Sequence, residues 1–228
     1  MDKQMQKRRV LVTGASGALG QAVSARFLKA GFEVTGTSFE LPSQHKHPGS
    51  DQMRWIPVDL TNSEQVKAAF KDESFEVVVH CAGGFRFSEI DKLSDADFDF
   101  LMKTNLFSAF YLIRELVPNL KKNRFGRIVF ISSAATLQAQ AGMSAYSASK
   151  AGLNQLTSTL ATELKAYNIT VNSLLPSIID TPANRRDMPK ADFSKWVTTD
   201  HLAEICHFIV SEAGSSITGA LIPVAGRV

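Results

Sequence analysis

Thr13-Gly14-Ala15-Ser16-Gly17-Ala18-Leu19-Gly20 is the turn from which the fold can be read. An apolar run, Val10–Val12, leads into it, and Ala22, Val23 and Phe27 follow at helical spacing. A glycine-rich turn between a strand and a helix has a physical use. Missing side chains let backbone come close to a pyrophosphate. The helix start behind the turn offers unpaired N–H groups and a positive dipole end. Gly14, Ser16, Gly17, Ala18, Leu19 and Gly20 are therefore candidate contacts for a dinucleotide. A tight turn with no ligand is the plainer alternative, and the rest of the chain weighs between the two.

Outward from this turn, short apolar runs alternate with helix-like segments. The runs are Arg9–Thr13, Glu33–Thr37, Met53–Val58, Val77–Cys81, Arg127–Ser132, Thr170–Leu175 and Ala220–Val224. Thr61-Asn62-Ser63-Glu64 has the form of a capping box and predicts a helix start after the third run. Ser94-Asp95-Ala96-Asp97 opens a second helix, with Phe98, Leu101, Met102 and Leu106 on one face. Leu153, Leu156, Leu160 and Leu164 mark a third. Strand–helix units with fully apolar strands imply an α/β fold, its parallel sheet covered on both faces. The loop-rich stretches 41–52 and 176–198 interrupt this alternation without ending it, so residues 1–228 are read as one domain.

Composition excludes several classes of function. The chain has 228 residues, 44% of them apolar and 21% charged, with 25 Lys+Arg against 22 Asp+Glu for a net charge of +3. A chain this size buries roughly 70% of its unfolded surface. That is enough for a large core, and the balance is that of a soluble globule. No apolar run reaches the roughly 18 residues of a membrane helix. The start, Met1 to Arg9, reads as a solvated lead-in to the first strand. Two cysteines, Cys81 and Cys206, make neither a disulfide framework nor a cysteine-based zinc site, so a reducing, cytoplasmic setting is the simplest expectation. No basic helix or aromatic–basic patch points to nucleic acid. A small-molecule substrate is the expected partner, with no metal.

The second strand should end at the ribose of the adenosine half. An acid there would bind the 2′-hydroxyl and repel a 2′-phosphate. Here the tip is Gly36-Thr37-Ser38-Phe39-Glu40, with two hydroxyls in the acid's place. Thr37 and Ser38 are thus cofactor contacts that favour NADP over NAD. His45-Lys46-His47 in the next loop could add positive charge, though a solvated polar loop is the plainer reading.

Tyr146-Ser147-Ala148-Ser149-Lys150 puts a phenol and an ammonium one helical turn apart, on one face. A free tyrosine ionises near pH ~10, and a lysine cation beside it favours the phenolate. An ordinary amphipathic pair has the same spacing. What makes this one specific is Ser133 at the end of the preceding strand and Asn105 on the helix before it.

With those residues in view, the chain resembles the classical short-chain dehydrogenase/reductase family over nearly its whole length. Thr13–Gly20, Asp59-Leu60-Thr61, Cys81-Ala82-Gly83, Asn105, Ser133, Tyr146, Lys150, the segment from Pro176 to Thr181 and Ile217-Thr218-Gly219 carry the likeness. The resemblance implies a Rossmann-like, doubly wound sheet of about seven strands. It also implies roles. Tyr146 would be the general acid/base, and Lys150 would lower its pKa and bind the nicotinamide ribose. Ser133 would orient the substrate oxygen, and Asn105 would hold a water. Asp59 with Leu60 would lie at the adenine, Ala82 and Gly83 along the cofactor, and Pro176, Ile179 and Thr181 beside the nicotinamide. The family's helix pairing implies a homodimer or homotetramer through the leucine-rich helices.

Three positions depart from the family pattern: Ala18 stands for a glycine, Cys81 for an asparagine and Ser177 for a glycine. A narrower likeness, to the dihydropteridine reductase branch, covers Gly17–Gly20, Ala82–Phe85, Leu175-Pro176, Asp180–Arg185 and Met188–Trp196. That branch lacks the serine found here as Ser133, and a quinonoid pterin needs no hydroxyl to hold a carbonyl. The leading expectation is therefore NAD(P)H-dependent carbonyl or alcohol chemistry. Pterin reduction is the second, and a non-catalytic dinucleotide sensor is the third. Phe85, Phe87, Phe193, Trp196 and Val197 are candidates for an apolar substrate wall. Arg185 and Arg186 either meet an anionic substrate or are solvated. The stretch between Pro182 and Thr199, the expected start of the next helix, is short for a substrate lid.

Overall fold

Val77-Val78-Val79-His80 is buried at every position, as a strand must be when helices cover both faces of its sheet. The computed structural model describes residues 8–39 and 49–228. His45, Lys46, His47, Glu40 and residues 1–7 fall outside this range. In chain order the elements are β1 (Arg9–Thr13), α1 (Ala18–Lys29), β2 (Glu33–Ser38), β3 (Arg54–Pro57), α2 (Ser63–Phe70) and β4 (Val77–His80). Then come α3 (Asp95–Met102), α4 (Ser108–Asn123), β5 (Gly126–Ile131), α5 (Ser144–Leu164) and β6 (Ile169–Pro176). The rest are β7 (Ile179–Asp180), α6 (Pro182–Asp187), β8 (Val197–Thr198), α7 (Thr199–Val210) and β9 (Leu221–Val224).

Seven strands form one parallel sheet in the order β3-β2-β1-β4-β5-β6-β9. The fold is a single-domain, doubly wound Rossmann-like sheet, as the alternation of strands and helices implies. The winding reverses between β1 and β4, and Thr13 pairs with His80 there at the strand ends. Open α/β sheets bind ligands in the crevice at such a reversal.

Two apolar clusters lie on opposite faces. One unites α2, α4 and α5 with Leu11, Val78, Ile128 and Val171. The other unites α1 and α7 with Val10, Val12, Val77 and Val129. Alternate residues of the same strand therefore feed different cores. Leu153 and Leu164 of α5 are fully buried, whereas Leu156 and Leu160 are only partly covered.

Three local expectations need correction. Asn62, not Thr61, caps α2, accepting from the N–H groups of Glu64 and Gln65. The Thr61 hydroxyl instead donates to Asp59. Next, the helix opened by Ser94 does not run on uniformly, because residues Lys103–Phe107 form a π-helical turn between α3 and α4. Finally, the stretch from Pro176 to Thr198 holds its own small parallel pair, β7 with β8, which short polar runs did not announce. Helix α7 does begin at Thr199, capped by the Thr198 hydroxyl.

Candidate active site

Backbone alone shapes one half of the cleft. Gly14 has φ +60, and a Cβ there would stand 3.0 Å from the Ala82 backbone. A Cβ on Gly20 would run into the Gly14 carbonyl oxygen. The turn thus closes on itself and on the chain leaving β4. Ser16 and Gly17 stand exposed at its crest. Helix α1 starts with no side-chain cap and no acid in its first turn. Its terminal N–H groups and positive dipole end suit an anion. Ala18, which stands for a glycine of the family pattern, is the first residue of the helix. Leu19 is buried beneath it. These features fit the pyrophosphate of a dinucleotide.

The tip of β2 joins this cradle. Ala15 N–H donates to Thr37 O at 3.2 Å, and the hydroxyls of Ser38 and Ser16 are 3.5 Å apart. Beside them Val58 N–H donates to Ser38 O, which brings Asp59 and the buried Leu60 alongside. Asp59 Oδ1 accepts from both the amide (2.8 Å) and the hydroxyl (2.7 Å) of Thr61.

Two of the four residues singled out for catalysis, Asn105 and Lys150, meet at Gly83. A Cβ at that exposed glycine would stand 3.0 Å from Asn105 Oδ1 and 3.3 Å from Lys150 Nζ. Asn105 is fully buried in the π-helical turn. Its amide donates to Gly84 O (3.0 Å) and to Ser149 Oγ (3.0 Å), and its carbonyl oxygen accepts from Gly84 N–H (2.8 Å). Ser149 in turn donates to Tyr146 O. Lys150 donates to Ile131 O at 2.8 Å. Ser133, just after β5, accepts from Ala135 N–H at 3.2 Å, and its hydroxyl is close enough to the Tyr146 phenol to lower its pKa.

The electrostatics differ from the simple lysine–tyrosine picture. Burial pushes the Tyr146 phenol above its ordinary pKa, and the Ser133 hydrogen bond only partly opposes this. Burial also brings Lys150 down to about 8. The protonated phenol therefore dominates at neutral pH. Cys81 is half-buried, and its thiol is pushed up to about 12 by burial, so it is an unreactive neighbour.

His80 is a member of this site that sequence reading missed. Ala82 N–H donates to Thr13 Oγ1 (3.1 Å), which lies 2.9 Å from His80 Nδ1. His80 Nε2 lies 3.2 Å from Ser108 Oγ, and that hydroxyl donates to Thr104 O at 2.6 Å. Ser108 has spent its proton on Thr104, so Nε2 must carry the imidazole proton. Nδ1 then accepts from Thr13. Burial drives the ring to about 3, which keeps it neutral. The chain of bonds ties the cofactor side of the crevice to the π-helical turn. A histidine ending an otherwise apolar, buried strand was the available signal.

On the far side, Pro176 is buried at the end of β6. The Thr181 hydroxyl caps α6, and Asn184 donates to Ile179 O at 2.7 Å. Ser177 donates through N–H to Val224 O and through its hydroxyl to Ala225 O (2.6 Å). The serine that replaces a family glycine thus ties this segment to the C-terminal strand. Arg185 makes a two-pronged pair with Asp180 at 2.6 and 2.7 Å and lies over the Phe193 ring. Phe193 packs against Trp196. Trp196 and Val197 are buried, so they belong to the core and not to a substrate wall. Among the described residues no group of His, Cys, Asp or Glu is disposed to hold a metal, and no helix is long and apolar enough to cross a membrane.

Residues 8–192 match the family model described as short chain dehydrogenase. The chain belongs to the short-chain dehydrogenase family. It is 31% identical to nodulation protein G of Rhizobium sp. (strain N33), over 96% of each chain. It is 29% identical to a 3-oxoacyl-[acyl-carrier-protein] reductase of Pseudomonas aeruginosa, over 97% of each. Among solved structures, the aldohexose dehydrogenase of Thermoplasma acidophilum superimposes with a TM-score of 0.85 at 27% identity, covering 97% of this chain and 94% of that one. As a short-chain dehydrogenase the chain is an NAD(P)-dependent oxidoreductase acting on a small molecule.

Proposed function

We propose that this short-chain dehydrogenase reduces a carbonyl to an alcohol, with Tyr146 as the general acid. The gathering of Tyr146 and Lys150 one turn apart on α5, with Asn105 tied to the same helix through Ser149 and Ser133 close to the phenol, carries this reading. It makes one spot at which a substrate oxygen can meet both hydroxyls. A bound reduced nicotinamide supplies the hydride, two electrons and one hydrogen nucleus, to the carbonyl carbon. Tyr146 gives its phenolic proton to the oxygen as the C=O double bond becomes C–O–H. A phenol held protonated by burial has its proton in place to give at neutral pH. Ser133 orients the oxygen. Lys150, held by Ile131 O, faces Gly83, where the nicotinamide ribose would lie, and its charge stabilises the phenolate that remains. Asn105 holds Gly84 by both backbone groups and holds a water of the proton relay in this reading.

Tyr146→Phe keeps the ring and removes the proton. Carbonyl turnover is expected to fall about a thousandfold, with NADPH affinity nearly unchanged. Turnover within tenfold of the parent overturns the assignment.

Gly14 to Gly20, Thr37, Ser38, Asp59, Leu60, Ala82, Gly83, Pro176, Ile179 and Thr181 bind the cofactor in this reading. NADP is favoured, because Thr37 and Ser38 occupy the tip where an acid would repel a 2′-phosphate. A lower KM for NADPH than for NADH is the expected result. Reduction of a quinonoid pterin is a second reading, supported by residues Ala82–Phe85 and Met188–Trp196. Retention of Ser133 ranks it below carbonyl reduction, and an assay with quinonoid dihydropterin separates the two. A homodimer or homotetramer goes with either reading, since Phe98, Phe107 and Phe110 leave an apolar surface exposed on α3, the π-helical turn and α4. Sedimentation as a monomer at micromolar concentration would reject it. Two unpaired cysteines accord with a reducing cytoplasm.

A further inference from the structure

The ring of Phe85 meets the ring of Tyr146 edge to face, with centroids 4.9 Å apart and planes at 82°. Phe85 is nevertheless 47% exposed, so part of its ring is left open to solvent beside the proposed proton donor. Its neighbours fix it there. Gly84 is held through both backbone groups by Asn105, and a Cβ on Gly84 would collide with the Phe100 ring at 2.6 Å. Arg86, the charged residue next to Phe85, turns onto Phe100, 4.3 Å above its ring and 3.5 Å from Asp97. Phe87 lies against Gly142, and Ser88 N–H donates to Gly142 O at 2.9 Å. The loop that carries Phe85 is thereby fastened to the loop that leads into α5 and Tyr146.

The loops beside Phe85 carry little charge, and the buried Lys150 donates to Ile131 O. From Ser132 to Ser149 the sequence contains no acidic or basic residue. Within that stretch Leu137 is exposed. Of the two lid arginines, Arg185 is committed to Asp180, and Arg186 stands exposed on α6. An exposed apolar surface at a cleft marks a place that a ligand covers. A flat, rigidly held aromatic ring gives more to another ring than to a saturated group of equal size, because stacked and edge-to-face pairs add to simple area burial.

From this geometry we propose that Phe85 is a specificity-determining residue and that the substrate is an uncharged carbonyl compound with an aromatic ring next to the carbonyl group. The proposal rests on the carbonyl-reductase reading above. The ring packs on the open side of Phe85 while the carbonyl oxygen reaches Ser133 and Tyr146. An acyl chain or a sugar would leave Phe85 either unstacked or facing hydroxyl groups.

The test uses the whole chain, with NADPH and NADH for reduction and with NADP+ and NAD+ for oxidation. Four carbonyl compounds are compared: a phenyl methyl ketone, a cyclohexyl methyl ketone, a 3-oxoacyl thioester and, in the oxidative direction, an aldohexose. The phenyl ketone is expected to have the highest kcat/KM, about tenfold above its cyclohexyl counterpart. Phe85→Ala and Phe85→Leu should both bring that ratio to near one, chiefly through KM for the phenyl ketone, and Phe85→Tyr should keep it. A ratio untouched by Phe85→Ala, or restored by Phe85→Leu, overturns the stacking role. So does a higher kcat/KM for the thioester or the hexose, and in all these cases Tyr146 chemistry still stands. Failure of every compound to turn over with either cofactor overturns the carbonyl reading itself, and the inference falls with it.

Discussion

Gly14–Gly20 and Asp180–Trp196 both border the cleft, yet they reach order by different means. In the first, the backbone does the shaping. Gly14 leans on Ala82, Gly20 closes under Gly14, and no side chain caps the helix that follows. In the second, side chains hold one another. Arg185 grips Asp180 and covers Phe193, and Phe193 packs on Trp196. A backbone cradle suits what every nicotinamide cofactor shares, a pyrophosphate, and at Gly14 and Gly20 it has no room for a side chain. A wall of paired side chains can be re-paired one residue at a time, which is how one chemistry comes to serve different substrates. The difference is measurable, because substitutions on the two sides should have very unequal effects.

Gly20→Ala should do the most damage. The new methyl group has nowhere to go, with the Gly14 carbonyl and the Ala15 Cα (2.7 Å) both in its way. Cofactor affinity is expected to drop at least about a hundredfold. Overpacking should also destabilise the fold by about 1–3 kcal/mol. NADPH fluorescence titration and urea unfolding read the two effects. If the variant binds NADPH like the parent, the cradle is more pliable than its geometry implies, and the contrast between the two sides weakens.

His80→Leu comes next, and it acts between the two sides. The substitution leaves the buried Thr13 hydroxyl without an acceptor and the Ser108 oxygen without its donor. An unsatisfied buried donor costs about 1–3 kcal/mol, so a loss of about 2 kcal/mol in urea unfolding at pH 7 is expected. The effect has a pH signature. His80 sits at about 3 in the folded protein, against about 6.5 when unfolded. Between those values the unfolded chain binds the extra proton, so stability drops as the pH falls from 6.5 towards 3. The leucine variant lacks this contribution and should show a flatter stability curve over that window. Parallel curves for parent and variant would show that the ring does not stay neutral.

The same contrast explains what was legible in the sequence. The glycine turn could be read because its constraint is local, a few residues of backbone with no room for side chains. Tyr146 and Lys150 could be read because helical spacing alone puts them on one face. Ser133 and Asn105 needed the family pattern, since what unites them with Tyr146 is the parallel order of β4, β5 and α5. The His80 chain was hidden for another reason: Thr13, His80 and Ser108 come from three elements that meet only when the sheet forms. The raised pKa of Tyr146 was likewise hidden, because burial is a property of the whole fold and outweighs the neighbour that the sequence displayed. On the lid, the sequence offered Arg185, Phe193, Trp196 and Val197 as free to meet substrate. The fold had already used the arginine on Asp180 and buried the tryptophan and valine.

That last point leads to the smallest expected effect. Arg185 and Asp180 form an exposed pair in which the guanidinium holds the carboxyl below its usual range. Water screens such pairs, and their net contribution to stability is small. Arg185→Ala should therefore move Tm by no more than about 2 °C. It should also change kcat/KM for an uncharged aryl ketone by less than about threefold, because the Phe193–Trp196 contact still holds the lid segment. A ketone of the same shape bearing a carboxylate makes the comparison sharp. If Arg185→Ala lowers kcat/KM for that anion at least tenfold while sparing the neutral ketone, the arginine leaves Asp180 to meet the substrate, and the lid recognises charge after all. If both ketones respond alike and weakly, the Asp180–Arg185 pair serves only to hold the lid in shape, and discrimination rests with Phe85 on the opposite wall.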